Sequence, residues 1–92
     1  MKLKGTKFQV KVWKFLSKIP YGEVKTYKEI AIKLKKPNAA RAIANACSKN
    51  PYPLFIPCHR AIRSDGKLGG YSGPGGVKMK EKLLKKEGYL LK

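Results

Sequence analysis

Thr26-Tyr27-Lys28-Glu29-Ile30-Ala31-Ile32-Lys33-Leu34 leads through Lys35-Lys36-Pro37-Asn38 into Ala39-Ala40-Arg41-Ala42-Ile43-Ala44-Asn45-Ala46-Cys47. Thr26 followed three residues later by Glu29 has the form of a capping box, a helix start in which each side chain satisfies the other's backbone N–H. Ile30, Ala31 and Leu34 then recur at helical spacing until Lys36-Pro37, where proline ends the run. Asn38 is a good N-cap for the next helix, in which Ala39, Ala40, Ile43 and Cys47 repeat at three and four residues. Two short helices joined by a proline-containing turn match a helix-turn-helix.

On the N-terminal side, Thr6 and Gln9 form a second capping box, and Phe8, Val12, Phe15 and Leu16, with Trp13 beside them, predict an amphipathic helix over 7–18. Ile19-Pro20-Tyr21-Gly22 breaks it, and Glu23-Val24-Lys25 reads as a short extended piece. On the C-terminal side, Asn50-Pro51-Tyr52-Pro53 forbids helix, and Leu54-Phe55-Ile56 reads as a brief buried strand-like run. Ala61-Ile62-Arg63, Ser64-Asp65-Gly66 and Lys67-Leu68 predict a small hairpin on an Asp-Gly turn. A glycine-rich loop from Gly69 to Gly76 precedes a last helix with Val77, Leu83 and Leu84, closed by Gly88. The expected architecture is mainly α, one domain over 1–92, with a winged-helix-like helix-turn-helix and a small β-hairpin as its wing.

Lysine and arginine number 22 against five acids, a net charge of +17, while 42% of residues are hydrophobic. The chain can therefore fold, yet its self-repulsion asks for an anionic partner. Nucleic acid comes before an anionic membrane, because no apolar run approaches the roughly 20 residues a spanning helix needs and no signal peptide or lipidation motif is present. No membrane association is expected, and the location expected is intracellular. There, two cysteines are reduced thiols, and with a single histidine they make no zinc site. No metal and no cofactor are expected.

The chemistry centres on Ile56-Pro57-Cys58-His59-Arg60. Pro57 stiffens the segment, and the cations beside Cys58 favour its thiolate, the nucleophilic form. A buried packing thiol is the plainer reading of a cysteine, and it suffices for Cys47, which falls at helical spacing from Ile43. His59 could be a turn residue or could take the thiol proton. On an extended segment, neighbouring side chains point opposite ways, so a bridging water is a reasonable path. An imidazolium would want a carboxylate behind it. Glu29 serves a cap and Asp65 a turn, leaving Glu23, Glu81 and Glu87. Arg41 stands in the first turn of a helix, where a cation opposes the dipole, so it is either a solvated surface residue or one kept for function. Tyr27 reads as a half-buried aromatic.

Taken together these residues resemble the O6-alkylguanine-DNA alkyltransferases, the methylated-DNA–protein-cysteine methyltransferases. Pro57-Cys58-His59-Arg60 resembles the active-site signature. Phe8 through Trp13, Tyr21-Gly22-Glu23-Val24 with Thr26-Tyr27, Ala39-Ala40-Arg41-Ala42-Ile43, Asn50-Pro51, Gly70-Tyr71-Ser72-Gly73 and Lys86-Glu87-Gly88 follow the family's order and spacing over nearly the whole chain. The resemblance implies direct reversal of DNA alkylation: duplex DNA carrying O6-alkylguanine is bound through the minor groove, the damaged nucleotide is flipped into a pocket, and the alkyl group passes once and irreversibly to Cys58. It implies Arg41 as the finger filling the vacated place, with Ala39 and Ala40 beside it on the recognition helix. Tyr27 is then the tyrosine crowding the flanking phosphate, and Asn50 the support of the active-site turn. His59 becomes the base acting through water, Glu87 the carboxylate behind it, and Tyr71 and Ser72 the pocket loop, where a tyrosine hydroxyl can protonate the leaving base. A monomer is expected.

Two departures bear on this. Most members carry a preceding N-terminal domain, whereas this chain starts almost at the first helix of the catalytic one. A related alkyltransferase-like group, often of this compact size, has tryptophan in place of the cysteine and binds lesions without repairing them. The alternatives are such a non-enzymatic lesion sensor and a winged-helix DNA-binding regulator; the second leaves Pro57-Cys58-His59-Arg60 unexplained.

Overall fold

A computed structural model describes residues 3–52, 55–71, 73 and 75–88. Helix α1 (Lys7–Leu16) starts at Thr6, whose hydroxyl accepts the Gln9 N–H at 3.0 Å while Gln9 Oε1 accepts the Thr6 N–H at 2.9 Å. It ends two residues before the expected Lys18, because the Lys18 and Ile19 N–H groups turn to the carbonyls three residues back. Val12, Trp13 and Leu16 form its buried face.

The helix-turn-helix is present as α2 (Tyr27–Lys33) and α3 (Ala40–Ser48). Thr26 and Glu29 cap α2 reciprocally, at 3.0 and 2.9 Å. Its C-terminus closes as a Schellman motif: the Lys36 N–H bonds to Ala31 O and the Lys35 N–H to Ile32 O. Lys35 takes the left-handed position, φ 62°, usually left to glycine. The expected cap of α3 is corrected. The Ala39 N–H bonds back to Lys36 O, so the helix begins one residue later than the periodicity indicated. Ala39 becomes the N-cap, with no side-chain bond, and Asn38 lies too far out to reach the first turn.

The wing is also corrected. Asp65-Gly66 does form the turn, with Arg63 N–H to Lys67 O at 2.9 Å and Gly66 at φ 88°. Lys67-Leu68 forms no strand, since one cross-bond builds no ladder. Strand β2 (Ala61–Ile62) pairs instead with β1 (Lys25–Thr26), in parallel, with Lys25 opposite Ala61 and Thr26 opposite Ile62. The extended piece placed at Glu23-Val24-Lys25 is thus shifted by a residue toward α2. The expected strand-like run Leu54-Phe55-Ile56 falls partly outside the described residues; Phe55 lies in a turn and is exposed, and Ile56 is buried. Cys58–Arg60 is a single 3-10 turn, not an extended segment. Helix α4 (Gly76–Lys86) closes the fold, and none of the helices among the described residues is long and apolar enough to cross a membrane.

The core joins Val12, Trp13, Leu16, Ile30, Ala31, Ile43, Ala46, Cys47, Ile56 and Cys58. Trp13 links α1 to α3 directly, its indole N–H donating to Ala46 O at 2.8 Å in a buried setting. Trp13→Phe keeps most of the apolar area and removes that bond. Unfolding in urea is expected to show a loss of about 1–3 kcal/mol, and an unchanged midpoint would mean the bond is idle.

Candidate active site and nucleic-acid interface

The site is assembled from segments that are distant in sequence. Asn50, buried just past the end of α3, donates from Nδ2 to Ile56 O at 2.7 Å and accepts the Tyr52 N–H on Oδ1 at 2.9 Å. Its amide thus pins Ile56, just ahead of the turn on which Cys58 stands. Cys58 is 2% exposed and belongs to the core cluster. Neither it nor Cys47 forms a disulfide. Burial pushes the Cys47 thiol up to about 12, in keeping with a packing residue.

His59 follows on the same 3-10 turn, 2% exposed, and its Nε2 lies 2.6 Å from Glu87 Oε2. Of the three acids left open by the sequence, Glu87 is therefore the one that meets the histidine. Glu81 pairs with Lys85 one helical turn away. Arg60 grips the same carboxylate from Nε at 2.9 Å and Nη2 at 3.1 Å, donates from Nη1 to Ile19 O at 2.8 Å, and lies over the Tyr21 ring. The Gly22 N–H adds a bond to Glu87 Oε1 at 3.3 Å. Burial alone would raise the Glu87 pKa, but the hydrogen bonds from Arg60, His59 and Gly22 outweigh it and hold the carboxyl below its usual range.

That assignment determines the tautomer. An ionised carboxylate only accepts, so His59 Nε2 carries the hydrogen. Burial lowers the His59 pKa, and the Glu87 contact offsets this only in part, so at neutral pH the ring is neutral and Nδ1 bears the lone pair. Nδ1 is buried with no hydrogen-bond partner among the described residues. The arrangement is an oriented base whose basic nitrogen is available.

On the other side of Cys58 stand Tyr27, Tyr71 and a lysine that sequence reasoning missed. Lys80 is 0% exposed. Its Nζ donates to Ala61 O at 2.6 Å and Gly70 O at 3.1 Å, and lies 3.4 Å from the Tyr27 hydroxyl. Burial brings its pKa down to about 8. Tyr27, expected to be half-buried, is 6% exposed. Burial raises the pKa of both tyrosines, and the Cys58 thiol adds to each shift. Ser72 lies outside the described residues.

Beside this group, a cavity of about 390 Å³ opens between α3 and the loop after β2, with Tyr27, Arg41 and Gly69 in its lining. Gly69 stands at φ 75°, and a Cβ there would meet the Tyr27 hydroxyl at 2.6 Å, so only glycine lets the loop approach this closely. Ala40 and Arg41 occupy the first turn of α3 at the cavity; Ala39 instead packs against the core.

A family model described as the 6-O-methylguanine DNA methyltransferase DNA-binding domain matches residues 7–89. The chain belongs to this family. A methylated-DNA–protein-cysteine methyltransferase of Methanosarcina barkeri is 57% identical over 83 residues, which is 90% of this chain and 51% of that protein. The Mycobacterium tuberculosis OGT in complex with DNA superposes with a TM-score of 0.89 at 48% identity, covering 95% of this chain and 52% of that one. The S. pombe Atl1 in complex with damaged DNA containing O6-carboxymethylguanine gives 0.77 at 33% identity, covering 94% and 80%. The chain spans about half the length of such curated methyltransferases.

Within the family fold, Lys80 was legible in principle. It falls four residues before Leu84, in register with the buried face of α4, whereas Val77, the other apolar residue expected on this helix, is exposed. Its depressed pKa has a testable sign. Between the folded value near 8 and the unfolded value near 10.4 the unfolded chain binds more protons, so Lys80 makes stability rise with pH through that window. Relative to Lys80→Met, the wild type is expected to gain unfolding free energy from about pH 7.5 to about pH 9.5 in denaturation curves. A difference that stays flat with pH would mean Lys80 is not held away from water.

Proposed function

We propose that this chain is the DNA-binding and alkyl-accepting portion of a methylated-DNA–protein-cysteine methyltransferase, and that Cys58 is the acceptor. The observation that carries the reading is the His59–Glu87 pair, which leaves Nδ1 of a neutral, buried imidazole as a ready base one residue from Cys58, on a turn that Asn50 braces at Ile56 O. The Cys58 proton passes through a water to Nδ1, and the imidazolium so formed is stabilised by Glu87. The thiolate then attacks the alkyl carbon. An S–C bond forms, the C–O6 bond breaks, and the electron pair remains on guanine, which takes up a proton from a tyrosine hydroxyl, the role assigned to Tyr71, whose own proton is then restored from solvent as the imidazolium gives up its proton. The thioether is stable, so each molecule acts once, and no cofactor enters the balance.

The substrate proposed is O6-alkylguanine in duplex DNA, approached through the minor groove. The excess charge of +17, the helix-turn-helix and the placement of Arg41 at the mouth of the cavity support this. Arg41 fills the place of the flipped nucleotide and Tyr27 crowds its flanking phosphate. Arg60 acts through Glu87, as a positioning residue. The likeness to the Atl1 complex keeps a second reading in view, in which the chain binds the lesion without transfer.

Mass spectrometry after incubation with an O6-methylguanine duplex separates the two. One methyl group on the Cys58 peptide is the expected result, with Cys58→Ser retaining DNA affinity and losing transfer. An unchanged mass together with tight lesion binding would favour the sensor. Arg41→Ala is expected to slow transfer from the duplex more than from O6-benzylguanine as a small molecule; equal losses on both substrates would remove the finger assignment.

A further inference from the structure

The cavity holds an arginine to which neither the alkyl transfer nor the helix-turn-helix assigns a part. Of the three arginines in the chain, Arg60 is committed to Glu87, while Arg41 and Arg63 both line the cavity, one from α3 and the other from the loop after β2. Apart from Tyr27, their neighbours in the lining are small, including Ala40, Gly69 and Gly70, which leaves room for a flat or extended ligand beside the two arginines. The adjacent helix end adds to the positive potential: α3 has no side-chain cap and no acid in its first turn. At about 390 Å³ the space exceeds that of a lone ion and suits a sugar-phosphate unit.

Arg63 is already holding an anionic oxygen. Its Nη2 lies 2.7 Å from Asp65 Oδ2, and both side chains are about half exposed, at 53% and 43%. An exposed pair of this kind is worth roughly 0–1 kcal/mol and is readily exchanged for another oxyanion. Asp65 is also placed by its own turn, its Oδ1 accepting the Lys67 N–H at 3.0 Å. Arg63 thus lines the cavity with its guanidinium on a carboxylate oxygen, a donor group suited equally to phosphate.

We propose that Arg63 is a second DNA-backbone ligand, which leaves Asp65 for a phosphate of the strand entering the cavity opposite Arg41. The proposal rests on DNA being the ligand of this face, and the experiment separates the two. Binding to an O6-methylguanine duplex is followed by fluorescence anisotropy across a salt series for the wild type, Arg63→Ala, Arg63→Lys, Asp65→Asn and the Arg63→Ala/Asp65→Asn double variant. Lys85→Ala, on the exposed face of α4, serves as the charge-matched control. Arg63→Ala is expected to weaken binding several-fold and to reduce the slope of log K against log salt by about 0.9, the loss of one phosphate contact, with Arg63→Lys restoring most of the slope. Asp65→Asn keeps the Oδ1 acceptor of the turn and is expected to tighten binding, an effect that vanishes in the double variant. An Arg63→Ala effect no larger than that of Lys85→Ala, or an Asp65→Asn gain that persists without Arg63, would overturn the proposal. Failure of the wild type to bind the duplex would instead overturn the reading on which it rests.

Discussion

The Glu87 carboxylate is the point on which the rest of the site depends. It accepts hydrogen bonds from His59, from two nitrogens of Arg60 and from the Gly22 N–H. A buried acid so surrounded stays ionised, and an ionised Glu87 dictates which nitrogen of His59 carries the hydrogen. The orientation of the base, the grip on the 3-10 turn and the anchoring of the segment after α1 therefore share one cause. Remove the charge and the histidine loses what fixes its tautomer, the arginine its ionic partner, and the Gly22 N–H its acceptor.

Helix α4 and its C-cap supply this acid and also the buried cation Lys80. Lys80, Leu84 and Glu87 recur at four and three residues, so one face of the helix end carries an ammonium, an apolar contact and a carboxylate in succession. Lys80 ties Ala61 of β2 to Gly70 of the pocket loop. Glu87 ties the active-site turn to the loop after α1. Between them they hold the two flanks of Cys58, which is why a helix with so many exposed lysines still determines the geometry of a buried thiol.

How far this could be read in advance follows from the range of each interaction. Both capping boxes were legible because the partners are three residues apart. The start of α3 was misplaced by a single residue, since the bond that delays it, Ala39 N–H to Lys36 O, belongs to the turn and has no side-chain signal. The hairpin expected from Asp65-Gly66 gave way to a parallel pairing of Ala61–Ile62 with Lys25–Thr26, which no local pattern can encode. Likewise, no local pattern separated the acids left open beside His59, so only the family resemblance pointed to Glu87 before the contact itself did, and Lys80 was passed over because a lysine is ordinarily taken as solvated. Arg41, by contrast, was conspicuous because it opposes the dipole of the helix that carries it.

The pairing of the first and last parts of the chain around Cys58 has a kinetic consequence. Gly22 and Glu87 are 65 positions apart, as are Tyr21 and Lys86, whose side-chain hydroxyl and carbonyl also bond; His59 and Glu87 are separated by 28. Contacts of such separation form only after loop closure has been paid in entropy, so they come late in folding. The local helices can be in place while the imidazole still lacks its carboxylate. Completion of the fold is thus what orients the imidazole, and a nascent or partly opened chain lacks the carboxylate that fixes its tautomer.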